Sequence, residues 1–289
     1  MRPATVNADG SGFQVLDAYP GRKMQLYPAG WSADGSRIYV NSGDEDVDPS
    51  DQGFYTVRST DGGDLARVAI LAPAPGHDQG VSVAPDGSAL MVTDVVPGTE
   101  GPHPRTLSLA NSDGSVRQLT PSDVKVVDLE YFGGVSWAWS PNPRTTSQIA
   151  FCAFVNAGGG SALYTVELDG TKLEQLVPPE TGATSAQWAP SGRQIAFTSE
   201  RGRDNQVWVV NADGSGARQL TTYGDGSVSI VPIWSPDGSK LLFQRKRAGE
   251  VTLWTVNSDG TDLKQLTPTP VANDWIGPYT WWPAPVKST

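Results

Sequence analysis

The chain has two histidines, His77 and His103, and the first stands beside a carboxylate, Asp78. An imidazole titrates near neutral pH and a neighbouring carboxylate can orient it, so this group could serve as a general base or contribute metal ligands. The competing reading is a surface histidine in a Pro- and Gly-rich stretch, which is the commoner case. A second cluster, Asp44, Glu45, Asp46 and Asp48, offers the hard oxygen ligands that Ca²⁺ prefers. Its spacing does not match an EF-hand loop, and a solvated acidic loop accounts for the same residues more readily. A divalent cation such as calcium is therefore the one cofactor these residues suggest, and none is required. No Gly-x-Ser-x-Gly elbow, Walker loop, Cys-x-x-Cys or His-Glu-x-x-His occurs, so hydrolase chemistry would need a site of another kind. The single cysteine, Cys152, lies in the apolar run Ile149-Ala150-Phe151-Cys152 and is expected to be a small core residue rather than a nucleophile.

Such groups need a scaffold, and composition narrows the choice. With 31 acidic and 21 basic residues in 289, the net charge of -10 repels phosphate backbones and anionic lipid, which argues against nucleic acid as a partner. Ten Trp within a 38% hydrophobic chain provide for a large core. No apolar run approaches the ~20 residues of a membrane span, and Met1-Arg2-Pro3-Ala4-Thr5 lacks the apolar core of a signal peptide.

The scaffold is repetitive. Its clearest unit reads Trp234-Ser235-Pro236-Asp237-Gly238, Lys240-Leu241-Leu242-Phe243, Leu253-Trp254-Thr255-Val256-Asn257-Ser258-Asp259-Gly260 and Leu263-Lys264-Gln265-Leu266-Thr267. Short β-branched and aromatic runs bounded by Pro, Asp and Gly predict four strands, A to D, with tight A-B and C-D hairpins. The C-D turn recurs at Asp9, Asp61, Asp113, Asp169, Asp213 and Asp259, each followed by Gly, at separations of 44 to 56 residues. The A-B turn follows Trp31, Val83, Trp139, Trp188 and Trp234, with a degenerate version at Trp281. Six units of four strands on this period predict an all-β fold, a six-bladed β-propeller of four-stranded antiparallel blades occupying 1–289 as a single domain. The chain opens on strands C and D, at Ala4-Thr5-Val6 and Phe13-Gln14-Val15-Leu16, and 278–289 holds the matching A. Pairing of N- and C-terminal strands is therefore expected to close the ring.

The units Trp234-Ser235-Pro236-Asp237-Gly238 and Asn211-Ala212-Asp213-Gly214-Ser215-Gly216, with Arg218-Gln219-Leu220-Thr221, resemble the propeller repeats of the TolB family. Similar blades occur in periplasmic scaffold proteins, in prolyl oligopeptidase-type peptidases and in sugar-acid lyases, so the resemblance bears on fold more than on activity. It implies a periplasmic or secreted location. The lyases are understood to use a metal held by several histidines, a pattern that two histidines fit poorly.

With the Asp-Gly turns on one rim, the irregular D-A loops (18–29, 71–80, 121–134, 177–184, 222–229 and 268–276) and B-C loops (among them 41–53, 94–105, 155–161, 199–205 and 245–250) share the other. Residues ahead of each strand A should lie nearest the axis: Lys23, His77, Asp78, Glu130, Tyr131, Asp225, Asp274 and Trp275, with His103 close by. Carboxylates outnumber bases here, so an electronegative mouth is expected. The leading function is a non-catalytic, monomeric recognition module binding a protein, peptide or carbohydrate at this mouth. The alternative is a lyase, cyclase or hydrolase using His77 with Asp78 or Glu130. Blade cores are expected at Ile38, Val57, Leu90, Leu107, Ile149, Leu163, Ile195, Val207, Leu241 and Leu253, with Trp139, Trp188 and Trp234 buried between blades.

Overall fold

The computed structural model describes residues 4–5, 14–15, 27–32, 36–42, 53–67, 81–83, 89–95, 105–111, 116–127, 137–141, 148–155, 160–200 and 204–267. The chain divides into two compact units, one of 1–95, 107–118 and 282–289, the other of 96–106 and 119–281.

In the first unit β1 (Ala4–Thr5) and β2 (Gln14–Val15) form an antiparallel pair. A four-stranded antiparallel sheet follows in chain order, β3 (Tyr27–Trp31), β4 (Arg37–Ser42), β5 (Gly53–Arg58) and β6 (Ala66–Arg67). Then come the hairpin β7 (Val81–Val83) with β8 (Ala89–Val95), and the pair β9 (Arg105–Asn111), which belongs to this unit from Leu107 onward, with β10 (Val116–Gln118).

The second unit begins with β11 (Val124–Val126) and continues as β12 (Trp137–Trp139), β13 (Gln148–Val155), β14 (Ser161–Glu167) and β15 (Glu174–Val177). Two further four-stranded sheets are β16 (Ala183–Trp188), β17 (Gln194–Ser199), β18 (Gln206–Asn211) and β19 (Arg218–Gln219), then β20 (Val228–Trp234), β21 (Lys240–Arg247), β22 (Glu250–Asn257) and β23 (Lys264–Gln265). Every pairing among the described residues is antiparallel, and the sheets β3–β6, β16–β19 and β20–β23 keep the A-to-D order that the repeat predicts, whereas β11 adds a pairing with β13 that the four-strand repeat does not contain. The expected pairing of the terminal strands falls on 278–289, outside the described residues.

The expected loops 121–134 and 245–250 hold strand well inside their bounds. Within 121–134, β11 pairs with the far half of β13, Val124 opposite Val155 and Val126 opposite Ala153, while β12 pairs with the near half, Trp139 opposite Ile149. The β-branched alternation Val124-Lys125-Val126 suits a strand, its valines buried. Within 245–250, β21 runs on to Arg247 and β22 starts at Glu250, so only Ala248 and Gly249, at φ 51° and 80°, make the turn. Two successive positive φ values are the geometry of a two-residue hairpin turn, and it carries the ladder three residues past Gln244.

The Asp-Gly turns work as the sequence implies. Asp213 Oδ1 accepts from the Ser215 amide (2.9 Å) and hydroxyl (2.6 Å), Asp259 Oδ1 does the same with Thr261 (2.9 and 2.6 Å), and Gly214 and Gly260 take φ 81° and 90°. At the A-B turn Asp237 Oδ1 accepts from the Ser235 hydroxyl, the Ser239 amide and the Ser239 hydroxyl at 2.6, 3.0 and 2.8 Å.

Cores form where sheets face each other. One cluster joins Ala150, Cys152 and Leu163 to Ala186, Trp188, Ile195 and Phe197; another joins Ala196, Val207 and Val209 to Trp234, Leu241, Phe243 and Val256. Ile38, Val57, Leu107, Ile149, Leu163, Ile195, Val207 and Leu241 are buried as expected. Leu253 is only half-buried; the strand's alternation puts it on the face opposite Trp254, whose side chain packs against the second cluster. Leu90 has no described side chain. Trp188 and Trp234 are buried, and Trp234 Nε1 donates across to the Gln187 carbonyl at 3.2 Å, whereas Trp139 is half-buried. Cys152 is fully buried, which pushes its thiol pKa up and makes it inert.

The three acceptances at Asp237, that from Ser235 first, hold its pKa at about 2, below its ordinary 3.8. Its stabilising contribution is therefore complete above about pH 4 and is lost as pH falls toward 2. Asp237→Ala should lower stability by about 1 kcal/mol at neutral pH. The excess stability of wild type over Asp237→Asn, measured by denaturant unfolding, should shrink across that acid range.

Candidate functional site

Of the site residues proposed from sequence, Asp225 alone lies among the described residues. Lys23, His77, Asp78, His103, Glu130, Tyr131, Asp274 and Trp275, and the candidate cation ligands Asp44, Glu45, Asp46 and Asp48, all lie outside them. Among the described residues no three His, Cys, Asp or Glu side chains gather as metal ligands would, and no helix is long and apolar enough to cross a membrane.

Asp225 stands in the loop between β19 and β20, at the end of its sheet opposite the Asp237-Gly238 and Asp259-Gly260 turns. Buried polar groups fix the foot of this loop. Thr221 Oγ1 donates to Gln206 Oε1 (2.7 Å) and accepts from the Val207 amide (3.0 Å), Gln206 Nε2 donates to the Ser227 carbonyl (3.2 Å), and the Ser229 amide donates to the Asn205 carbonyl (2.7 Å). These groups sit away from water, so each bond is costly to break and the loop is held against the preceding sheet.

The extended β21–β22 hairpin brings the partners. Side chains on a strand alternate, so Phe243, Arg245 and Arg247 share one face of β21, running from the core outward, and Trp254, opposite Phe243 in register, shares it from β22. The Arg245 guanidinium carbon lies 4.0 Å from the Tyr223 ring centre and 4.7 Å from that of Trp254. Its Nη2 donates to Asp225 Oδ2 at 2.9 Å, and Arg247 Nε reaches the same oxygen at 3.3 Å. Asp225 Oδ1 accepts from the Ser227 amide at 3.1 Å. The Tyr223 hydroxyl accepts from Ser229 Oγ at 3.2 Å, and Trp254 Nε1 donates to Thr252 Oγ1 at 2.8 Å.

The electrostatics follow from these contacts. The Ser227 side chain first, then its amide and the charges of Arg245 and Arg247, hold the Asp225 carboxyl below its usual range. Burial pushes the Tyr223 phenol above its own, so it remains a neutral ring for the cation to lie on. At this described part of the loop-bearing end two cations, Arg245 and Arg247, meet one carboxylate. The sequence carried a usable signal for them: Arg245-Lys246-Arg247 is a run of three cations in a chain of net charge -10.

With the fold and this geometry in view, the class of protein is that of the β-propellers. The family model of the TolB β-propeller domain, PD40, matches residues 119–278, more than half of the chain, and the chain belongs to this family. Among curated relatives, the uncharacterized protein Atu1656 of Agrobacterium fabrum is 25% identical over 207 residues, 68% of this chain and 58% of that protein. The Tol-Pal system protein TolB of Anaeromyxobacter dehalogenans (strain 2CP-C) is 38% identical over 120 residues, 42% of this chain and 24% of that protein. The chain thus spans little more than half of the first relative and about a quarter of the second. Solved structures with the same fold include a putative TolB from Agrobacterium tumefaciens (TM-score 0.68, 20% identity, 90% of this chain and 86% of that one) and an oligogalacturonate lyase in complex with manganese (0.59, 15%, 92% and 72%).

Because Arg245 is sandwiched between rings and paired, a double-mutant cycle of Tyr223→Leu and Arg245→Met in denaturant unfolding should give a coupling of about 0.5–2 kcal/mol. Additive single effects would mean that the stacking contributes nothing.

Proposed function

We propose that this chain is a non-catalytic recognition module, a single six-bladed TolB-type propeller domain over 1–289 closed by its terminal strands and acting as a monomer. In this reading the loop-bearing end binds a protein, peptide or glycan. One observation carries it: at the described part of that end, a loop anchored by buried polar groups assembles Asp225, Tyr223, Arg245 and Trp254, with no nucleophile held by a base among them. Preorganised polar and aromatic groups without a nucleophile suit binding rather than bond cleavage. Tol-Pal system protein TolB among the relatives supports a partner protein; a periplasmic or secreted location is proposed with it from the family resemblance. Lys23, His77, Asp78, His103, Glu130, Tyr131, Asp274 and Trp275 are proposed as the rest of the binding mouth.

A second reading, a lyase, cyclase or hydrolase using His77 with Asp78 or Glu130, draws on the oligogalacturonate lyase with manganese that shares the fold. A divalent cation, held at this mouth or at Asp44, Glu45, Asp46 and Asp48, belongs to that reading. Affinity capture on immobilised peptides and glycans, combined with metal analysis of the purified protein, separates the two. The recognition module should capture a ligand saturably and leave it chemically unchanged. Turnover of a small substrate that disappears in His77→Ala, with no ligand captured, would establish the enzyme instead.

A further inference from the structure

We infer that the pair Arg245 and Arg247 is a docking point for carboxylate side chains of an acidic peptide segment in a partner protein, with Asp225 occupying that point in the free state. The inference rests on the recognition reading above and names the ligand chemistry at one part of its surface.

Three observations carry it. First, the charges do not balance: two guanidiniums share one oxygen, Asp225 Oδ2, at 2.9 and 3.3 Å, although each guanidinium can grip a carboxylate through two parallel bonds. Arg245 Nε is buried with no acceptor, and Asp225 is the one carboxylate paired with Arg247 among the described residues. Second, the groups are graded in exposure. The Arg245 side chain is 16% exposed and fixed between two rings, Asp225 is 32% exposed, and Arg247 is 64% exposed. One cation is therefore preorganised and the other is accessible. Third, there is room. A Cβ placed on Gly224, Gly226 or Gly249 would meet no atom within 4 Å, so open space borders Asp225 on both sides and the hairpin tip as well.

The same geometry favours peptide over sugar. One face of each of the Tyr223 and Trp254 rings lies against Arg245, and Trp254 also packs against the core, which leaves less aromatic surface for a pyranose to stack on. What remains on offer is hydrogen-bond donors and positive charge. An incoming carboxylate would exchange with Asp225 or add beside it on Arg247, one acceptor replacing or joining another with no net loss of ion pairing. The field of the chain as a whole, at -10, opposes a polyanion at long range, so binding should depend on these short-range contacts and weaken with salt.

Isothermal titration of the whole chain with a short blocked peptide of alternating glycine and glutamate, against its glycine–glutamine counterpart, tests the inference. The glutamate peptide should bind, and the glutamine peptide should not. Arg247→Ala, a change at an exposed side chain, should weaken binding about tenfold. Asp225→Asn, which frees both arginines, should strengthen it severalfold. Gly224→Leu, which the open space accommodates, should weaken it by obstruction. A merely structural ion pair would give no titration, and Asp225→Asn would then register only as lost stability. Absence of glutamate-peptide binding overturns the inference, as does tighter binding of the glutamine peptide or of a polyuronic acid. Should a neutral ligand still be captured elsewhere on the loop-bearing end, the recognition reading stands without it; turnover with no captured ligand removes both.

Discussion

A four-stranded twisted sheet has two faces and too few residues to cover either, and this constraint organises the molecule. The sheet β16–β19 shows the solution within one unit. Ile195 and Phe197 on β17 point into the cluster that contains Cys152 and Leu163, while Ala196 between them points into the cluster that contains Trp234 and Phe243. A strand whose alternate residues are buried on opposite sides is stable only with a neighbour sheet on each side. Trp188 and Trp234 end equivalent A strands because the flank of one sheet must be sealed against the next, and the bond from Trp234 Nε1 to the Gln187 carbonyl keeps the indole satisfied while it is buried.

Chemical variety is confined to one end of the sheets for the same reason. At the Asp-Gly end each described C-D turn is pinned by a carboxylate accepting from the amide two residues on, that of Gly63, Thr171, Ser215 or Thr261, so loss of the carboxylate weakens the turn. The other end has no such requirement: the β19–β20 connection is anchored by the buried side chains of Thr221 and Gln206 rather than by a fixed turn sequence. The hairpin β21–β22 extends into this permissive space, and its period-two alternation places Arg245 and Arg247 on the face that Phe243 buries lower down. The site is thus a core face continued past the point where the core ends.

The sequence made the repeat, the strand order and most core positions legible because hydrophobic alternation and Asp-Gly turns are local signals. The bulges in the A strands were not legible. Ser185 and Val231 take φ 57° and 54°, and the register shifts between Thr184 and Gln187 and between Ile230 and Ile233, with no glycine to announce it. A β-branched residue at positive φ persists only because the surrounding ladder fixes it. The hairpin at 245–250 was not legible either: a run of three cations does not announce a strand, and the rings of Tyr223 and Trp254 that stack on Arg245 come from a neighbouring loop and strand. Of the candidate site, Asp225 was found from its place ahead of strand A, but its partners depend on contacts between segments that no single window of sequence contains.

The arrangement around Arg245 is hard to explain as a device for stability. Taking a guanidinium out of water carries a desolvation cost that pairing and stacking only partly offset, and an apolar side chain between the same two rings would fill the space without that cost. A buried cation is useful where its charge is needed at a set position, held still by rings that leave its edges free for acceptors. The loop that supplies Tyr223 also supplies Asp225, flanked by Gly224 and Gly226, the second in the left-handed region. One short segment thereby provides the ring that fixes the cation, the carboxylate that balances it, and a backbone slim enough to leave space beside both. A segment selected for packing alone would have little reason to place two glycines on either side of its only carboxylate.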